Sequence, residues 1–329
     1  MMNLFRRIFS NDPSKPTADS GTPTTTPAPQ PITEIKVEAP HEAPMTPPDI
    51  APHIIADGAT RPLSQESLLS YLGNDHLIFG QLSDVGMVRN NNQDAVLCYF
   101  VSSRSADERP DFGLFMVADG MGGHHDGEKA SALAIKTVAA TVATTIWLPM
   151  LSGQTENQAP ITEALTEAIQ KANGDIMVQV PDGGTTFSSV ILIGDLAYVA
   201  HVGDSRVYMI SKDGVIEQLT RDHSLVQRLI ELDQLTPEEA AEHPQKNVLY
   251  RALGQNDVVE VDTMFRRVPP KSSLVVCSDG LWNQVQDKEI ADIVRQNSNP
   301  QDACNKLVAL ANKRGGLDNV TVVVLNLPG

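Results

Sequence analysis

Cysteine is scarce in this 329-residue chain: Cys98, Cys277 and Cys304 make an odd number with no C-x-x-C spacing. A disulfide framework is therefore not expected, and the pattern suits a reducing compartment, the cytoplasm. Basic residues are also in deficit. Lys and Arg number 25 against 41 Asp and Glu, for a formal net charge of −16. That balance excludes non-specific nucleic-acid binding, which needs a cationic surface to displace counterions. A long apolar run is missing from the first residues as well. Leu4-Phe5-Arg6-Arg7-Ile8-Phe9 mixes apolar and basic side chains, with no long apolar core and no cleavage pattern. Neither a transmembrane helix nor a secretory signal is expected there, but an untethered end, with weak contact to an acidic membrane or a partner as the lesser reading. The 41% hydrophobic content is nonetheless enough for a sizeable soluble core.

Proline divides the chain. Residues 1 to about 62 carry twelve of the 22 prolines, with Thr, Ser and Ala between them. Such a segment buries too little apolar area to offset its chain entropy, so residues 1–63 are expected to be a disordered tail and 64–329 the folded domain. Apolar runs predict strands at Leu77–Leu82, Ala95–Val101, Phe112–Ala118, Thr185–Ile193, Leu196–Val202, Arg206–Ser211, Val258–Phe265, Ser273–Cys277 and Val320–Leu327. Helical periodicity predicts Glu128–Ile146, Ile161–Val178 and Gln301–Lys313. Grouped antiparallel strands with helices inserted between the groups imply an α+β fold of layered sheets, not regular βαβ alternation. From about 222 to 254 the pattern turns to short helices and polar turns, with a helix start at Thr236-Pro237-Glu238-Glu239. This piece is expected to project as a flap.

Acidic residues recur where strands end. The run from Phe112 stops at Asp119-Gly120, the run from Leu274 at Asp279-Gly280, and the run from Ala197 at Asp204, while Asp318-Asn319 opens the last strand. A single Asp-Gly after a strand is most often a hairpin turn, as expected for Asp213-Gly214. Four such acids brought together would repel strongly unless cations lay between them. An all-oxygen donor set suits Mg²⁺ or Mn²⁺ better than zinc. A local metal cluster can attract phosphate even within a globally acidic molecule.

Seven stretches then carry a resemblance. Ser83 to Asp94, Val117-Ala118-Asp119-Gly120-Met121-Gly122-Gly123-His124, Gly184-Thr185-Thr186, Val202-Gly203-Asp204-Ser205-Arg206, Tyr250-Arg251-Ala252-Leu253-Gly254, Ser278-Asp279-Gly280-Leu281-Trp282 and Asp318-Asn319-Val320-Thr321 resemble, in order, the motifs of the metal-dependent protein serine/threonine phosphatases, the PPM or type 2C family, in its bacterial form. The likeness covers roughly residues 76–328. It implies a four-layer α-β-β-α sandwich, two Mn²⁺ or Mg²⁺ ions with a weaker third, phosphoserine and phosphothreonine proteins as substrates, and a cognate serine/threonine kinase as the enzyme opposed. Asp119 resembles the carboxylate that bridges both metals, and Gly120 the residue whose carbonyl binds one. Asp279 and Asp318 resemble the other ligands, and Asp204 with Asp279 the third-metal pair. Arg89 resembles the arginine that grips the substrate phosphate, and Asp94 the acid that orients the attacking water. Two divalent ions sharing a water lower its pKa and aim it at phosphorus.

The chain departs from the family pattern at three positions. Met121 stands where animal members carry a histidine, which leaves His124 or His125 as candidates to protonate the leaving alcohol. Gln93 replaces a common glutamate, and Asn247 a serine found in some bacterial members. Other chemistries lack their residues. Cys277 has Asn283 six positions on, where a cysteine phosphatase needs arginine, and Ser205 lacks the second glycine of a nucleophile elbow. The remaining alternative is a catalytically weak phosphatase-like module that binds phosphoproteins; the presence of every expected carboxylate makes it the lesser reading.

Overall fold

In the β-strands, alternate side chains turn to opposite faces, and here both faces of most strands are apolar. In β3 (Phe112–Gly122), Phe112, Leu114, Met116 and Ala118 enter one core, whereas Phe115 and Val117 enter another. In β11 (Val320–Asn326), Val320, Val322 and Val324 face a third core while Val323 and Leu325 share the second. Strands apolar on both faces must be covered twice, so the chain stacks sheet on sheet with helices outside. Each fully buried Val, Leu or Ile in these cores contributes roughly 1.5–3 kcal/mol of burial free energy.

The computed structural model describes residues 76–102, 111–122, 126–154 and 158–329. The tail expected over 1–63 and its boundary at Ser64 lie outside the described residues. One sheet runs β1 (Ile78–Asp84), β11, β10 (Ser273–Cys277), β7 (Arg206–Ile210) and β8 (Ile216–Gln218). The other runs β2 (Asp94–Val101), β3, β5 (Phe187–Ile193), β6 (Leu196–Val202) and β9 (Asp262–Arg267), with β4 (Gly183–Thr185) paired to the end of β3. Every pairing is antiparallel. Helices α1 (Asp126–Val142) and α3 (Ile161–Gln179) cover the second sheet. After a one-turn α6 (Asp279–Trp282), helices α7 (Asp287–Gln296) and α8 (Pro300–Lys313) cover the first. The second core, shared by β3 and β11, lies between the sheets, which completes the four layers.

The elements differ from the sequence expectation in informative places. Helix Glu128–Ile146 is interrupted: after α1 a π-helical turn, Ala143–Trp147, leads into a short α2, Leu148–Ser152. By length and composition alone, Asp126–Ser152 is apolar enough to cross a membrane; here Ala130, Ala134, Val138 and Val142 pack into the first core. The strand expected at Thr185–Ile193 divides into β4 and β5. The one expected at Val258–Phe265 begins only at Asp262, because the preceding backbone is held by α3: the Gln170 side chain donates to the Val259 carbonyl, and the Asn173 amide to the Asn256 carbonyl at 2.8 Å. Helix α7 was not expected at all.

The flap between 222 and 254 holds α4 (Leu225–Glu231) and α5 (Pro237–Ala241), the second starting where expected, with Thr236 and Glu239 forming a capping box. Its two ends are tied together at the base. Leu225 N donates to Val248 O at 2.8 Å, and Tyr250 N to His223 O at 3.0 Å.

Candidate metal centre

Strand register brings the acids together. Arg206, Cys277 and Val322 sit side by side on β7, β10 and β11. Asp204 lies two residues before Arg206, Asp279 two after Cys277, and Asp318 two before the start of β11, so all three emerge at one end of the first sheet. The second sheet delivers Asp94 and Asp119 as a directly opposed pair on β2 and β3. Like charges facing each other across a ladder destabilise it. Among the described strand pairs, Asp94 and Asp119 are the one like-charged couple set directly opposite.

The two sheets are fastened at this edge by a small polar network. Ser278 Oγ donates to Asp94 Oδ2 at 2.7 Å and accepts from Thr321 N at 2.9 Å. Asn319 Oδ1 accepts from Gln93 N at 2.8 Å, while its Nδ2 donates to the carbonyls of Val85 and Asn91, both at 2.9 Å. Thr186 Oγ1 accepts from Asp119 N at 3.0 Å. Asn283 Nδ2 donates to Asp279 Oδ2 at 3.2 Å, and Trp282 Nε1 donates to the Asp204 carbonyl at 3.0 Å. Ser278 and Trp282, though quoted in a motif, and Asn283 were given no bracing role from sequence, because nothing local marks a side chain that braces a carboxylate. Their position beside Asp279 was the available signal.

Two glycines are required by space. A Cβ on Gly120 would lie 2.1 Å from the Gly127 carbonyl oxygen at the start of α1. Gly203, with φ of 109°, packs against Thr186 just before Asp204. Asp119 itself is not in a turn, as its Asp-Gly suggested. Strand β3 continues through it to Gly122 and pairs with β4.

Electrostatics reflect the crowding. Burial, with Asp279 and Asp318 adding repulsion, pushes Asp94 up to about 7 despite hydrogen bonds from Thr321 and Ser278. Burial, then Asp318, pushes Asp279 up to about 6, and a hydrogen bond accepted from Asp119 pulls the other way. Asp119 is raised well above the ordinary carboxylate range by burial and then by Asp94, Asp279, Asp204 and Asp318. Asp204 is raised by burial and then by Asp279 and Asp222. Arg89, half-exposed at the rim, donates from Nη2 to Asp318 Oδ2 at 2.7 Å, which raises its pKa. Among the described residues no three acidic, His or Cys side chains form a ready-made ligand cluster, and Arg89 takes one oxygen of Asp318 instead.

The site fits a hard divalent cation on its own chemistry. Asp94 Oδ1 and Asp279 Oδ1 are buried oxygens with no hydrogen-bond donor. Such orphans are rare, and mutually repelling carboxylates with spare lone pairs are what oxygen-seeking Mg²⁺ or Mn²⁺ takes. Asp119, Gly120, Asp204, Asp279 and Asp318 are all at this edge. His124 and His125 lie outside the described residues, and Asn247 lies in the flap rather than on either sheet.

The comparisons agree with this architecture. Residues 86–312 match the family model described as protein phosphatase 2C. The serine/threonine phosphatase stp of Listeria innocua is 35% identical over 244 residues, 74% of this chain and 93% of that protein. The crystal structure of the serine/threonine phosphatase PstP/Ppp of Mycobacterium tuberculosis superposes with a TM-score of 0.65 at 34% identity, covering 77% of this chain and all of that one. The catalytic domain of PstP in complex with two manganese ions gives a TM-score of 0.62 at 33% identity, covering 77% of this chain and 99% of that one. With its motifs in order, its two sheets in the same arrangement and its acids gathered at their shared edge, the chain belongs to the protein phosphatase 2C family.

Proposed function

We propose that this edge holds two Mn²⁺ or Mg²⁺ ions and hydrolyses phosphoserine and phosphothreonine in proteins, reversing a serine/threonine kinase in the cytoplasm. The observation that carries the reading is the meeting of five aspartates from two sheets, two of them with buried oxygens that have no donor. Asp119 would hold both ions, with Gly120 O, Asp279 and Asp318 completing their protein ligands; Asp204 and Asp279 would hold a weaker third. When bound, the pair supplies charge neutralisation and an activated water for in-line attack at phosphorus.

The remaining work falls to side chains. Arg89 can leave Asp318 and present its planar fork to two phosphate oxygens, stabilising charge that shifts in the transition state. Asp94, held by Ser278, would accept a hydrogen bond from the attacking water and fix its direction. A proton for the leaving alcohol would come from His124 or from solvent.

The direct test is hydrolysis of a phosphothreonine peptide by the purified protein. Turnover is expected with added Mn²⁺ and none in excess chelator; full turnover in chelator would refute the reading.

A further inference from the structure

The acidic chain carries a cavity of the opposite sign, remote from the aspartates. The β7–β8 turn, the residues just before β10, the α7–α8 connection and the residues after β11 enclose about 630 Å³. These are the far ends of the strands that deliver Asp204, Asp279 and Asp318. At about 3.3 Å per residue, the length of β10 alone puts roughly 13 Å between this end and the acidic one.

Lys212, Lys271 and Arg295 line the cavity, and no Asp or Glu does. None of the three is in an ion pair or a side-chain hydrogen bond among the described residues. Three cations thus line one cavity in a molecule of net charge −16; the Lys271 side chain lies against Gly329, which also lines it, and the Arg295 guanidinium lies against Gly214 in the β7–β8 turn. In the neutral lining, Ser211 Oγ accepts from Val215 N and keeps its proton to donate, and Asn297 Nδ2 spends one N–H on the Ile293 carbonyl and keeps the other, whereas Ser273 Oγ donates to Asn326 Oδ1.

Two details point to a missing partner. Ser272 lines the cavity and is 1% exposed, yet its Oγ has no hydrogen-bond partner. A buried hydroxyl is nearly always paired. Lys271 has a φ of 61°, a left-handed conformation unfavourable for a residue with a side chain. It is held there by its N–H to Pro328 O at 3.1 Å and by Ser272 N to Pro269 O at 3.2 Å.

We infer that this cavity binds a phosphate dianion. Point charges from two lysines, a forked guanidinium and a buried hydroxyl match a tetrahedral group with acceptors on every side. The group could be free inorganic phosphate or a phosphorylated side chain of a protein substrate; the chemistry recognised is the same. The inference does not depend on the metal centre.

The test uses the full chain with divalent ions removed by chelation, so that the acidic edge repels phosphate. Calorimetric titrations with inorganic phosphate and with a phosphoserine peptide should give saturable binding to one site, and inorganic phosphate should raise the melting temperature. The Lys271→Gln, Arg295→Gln double variant should weaken binding at least tenfold, whereas Arg89→Ala should leave it unchanged. Lys212→Gln alone, in the β7–β8 turn, should weaken it severalfold and serves if the double variant folds poorly. Tighter binding of the free anion assigns the site to inorganic phosphate, and tighter binding of the peptide assigns it to substrate. Absence of binding in both titrations, or binding that the cation variants retain, overturns the proposal.

Discussion

Asp94 and Asp119 face each other across β2 and β3, and Asp279 lies within hydrogen-bonding reach of Asp119. Each of these carboxylates is worse placed in the free chain than it would be in water, so its removal and its function pull in opposite directions. Asp279→Ala should reduce Mn²⁺-dependent turnover by more than the roughly hundredfold lost with outer-shell partners, while the chelated variant melts no lower than the parent. Loss of folding, seen by circular dichroism, would instead make Asp279 a structural residue. The neighbouring Cys277 is fully buried, and burial raises its thiol pKa, so it is no nucleophile. Cys277→Ser should keep its activity and lose about 1–3 kcal/mol of stability from burying a hydroxyl. For Arg89→Ala, kcat/KM on a phosphopeptide should fall by about 10²–10³, as for loss of a transition-state donor. Calorimetric Mn²⁺ affinity should hold or rise, because Asp318 is released. A matching fall in both would reassign Arg89 to holding Asp318 in place.

The flap shows how an element is both separate and attached. Its helices pack little, and no α4 residue is buried. Its base, however, is bonded to the turn that carries Asp204: His223 N donates to Gly203 O at 2.7 Å, and Gly203 N donates to His223 Nδ1 at 3.0 Å. His223 also meets Asp262 at 3.1 Å, and Arg251 bonds Asp262 at 2.7 Å, closing the base onto β9. Exchanging residues 225–247 for a relative's flap, with this base kept, should change preference among phosphopeptides severalfold and small-ester turnover little, since only a long substrate reaches a projecting element. Parallel kinetics on a phosphopeptide series and on a small aryl phosphate make the check; equal losses on both would tie the flap to the reaction centre itself. The helix start at Thr236 was legible because capping is local chemistry. The late start of β9 was not, because the hold on 256–259 comes from Gln170 and Asn173, more than eighty residues away.

For the whole molecule, the acidic edge should make stability depend on metal and pH together. Asp94 and Asp279 have folded pKa values raised from 3.8 to about 7 and about 6 by burial and mutual repulsion. The folded chain then binds protons more tightly than the unfolded one, so their contribution falls as pH rises from about 4 toward 7. His201 acts the other way: burial lowers it to about 3, so the stability that comes with its neutral form is present above 6.5 and lost as pH falls. The melting temperature of the chelated chain, measured from pH 5 to 8 beside Asp94→Asn, isolates the first effect. The parent should lose stability relative to the variant as pH rises, and Mn²⁺ should remove the difference. Parallel curves for the two proteins would show that Asp94 is not held against its charge.

Apolar runs and strand-ending aspartates determined, from the sequence alone, that strands exist and that acids stand at their ends, because both are properties of neighbouring residues. Fold class and the candidate ligands followed from motif order, a pattern that survives without knowledge of pairing. Tertiary structure alone decided the rest. Which strands pair, and in which register, depends on burial shared between segments far apart in the chain, and that register sets Asp204, Asp279 and Asp318 at one edge. The same pairing places Lys212, Lys271 and Arg295 at the opposite end. No local signal marks them, because each is an ordinary surface cation until β7, β10 and β11 lie side by side.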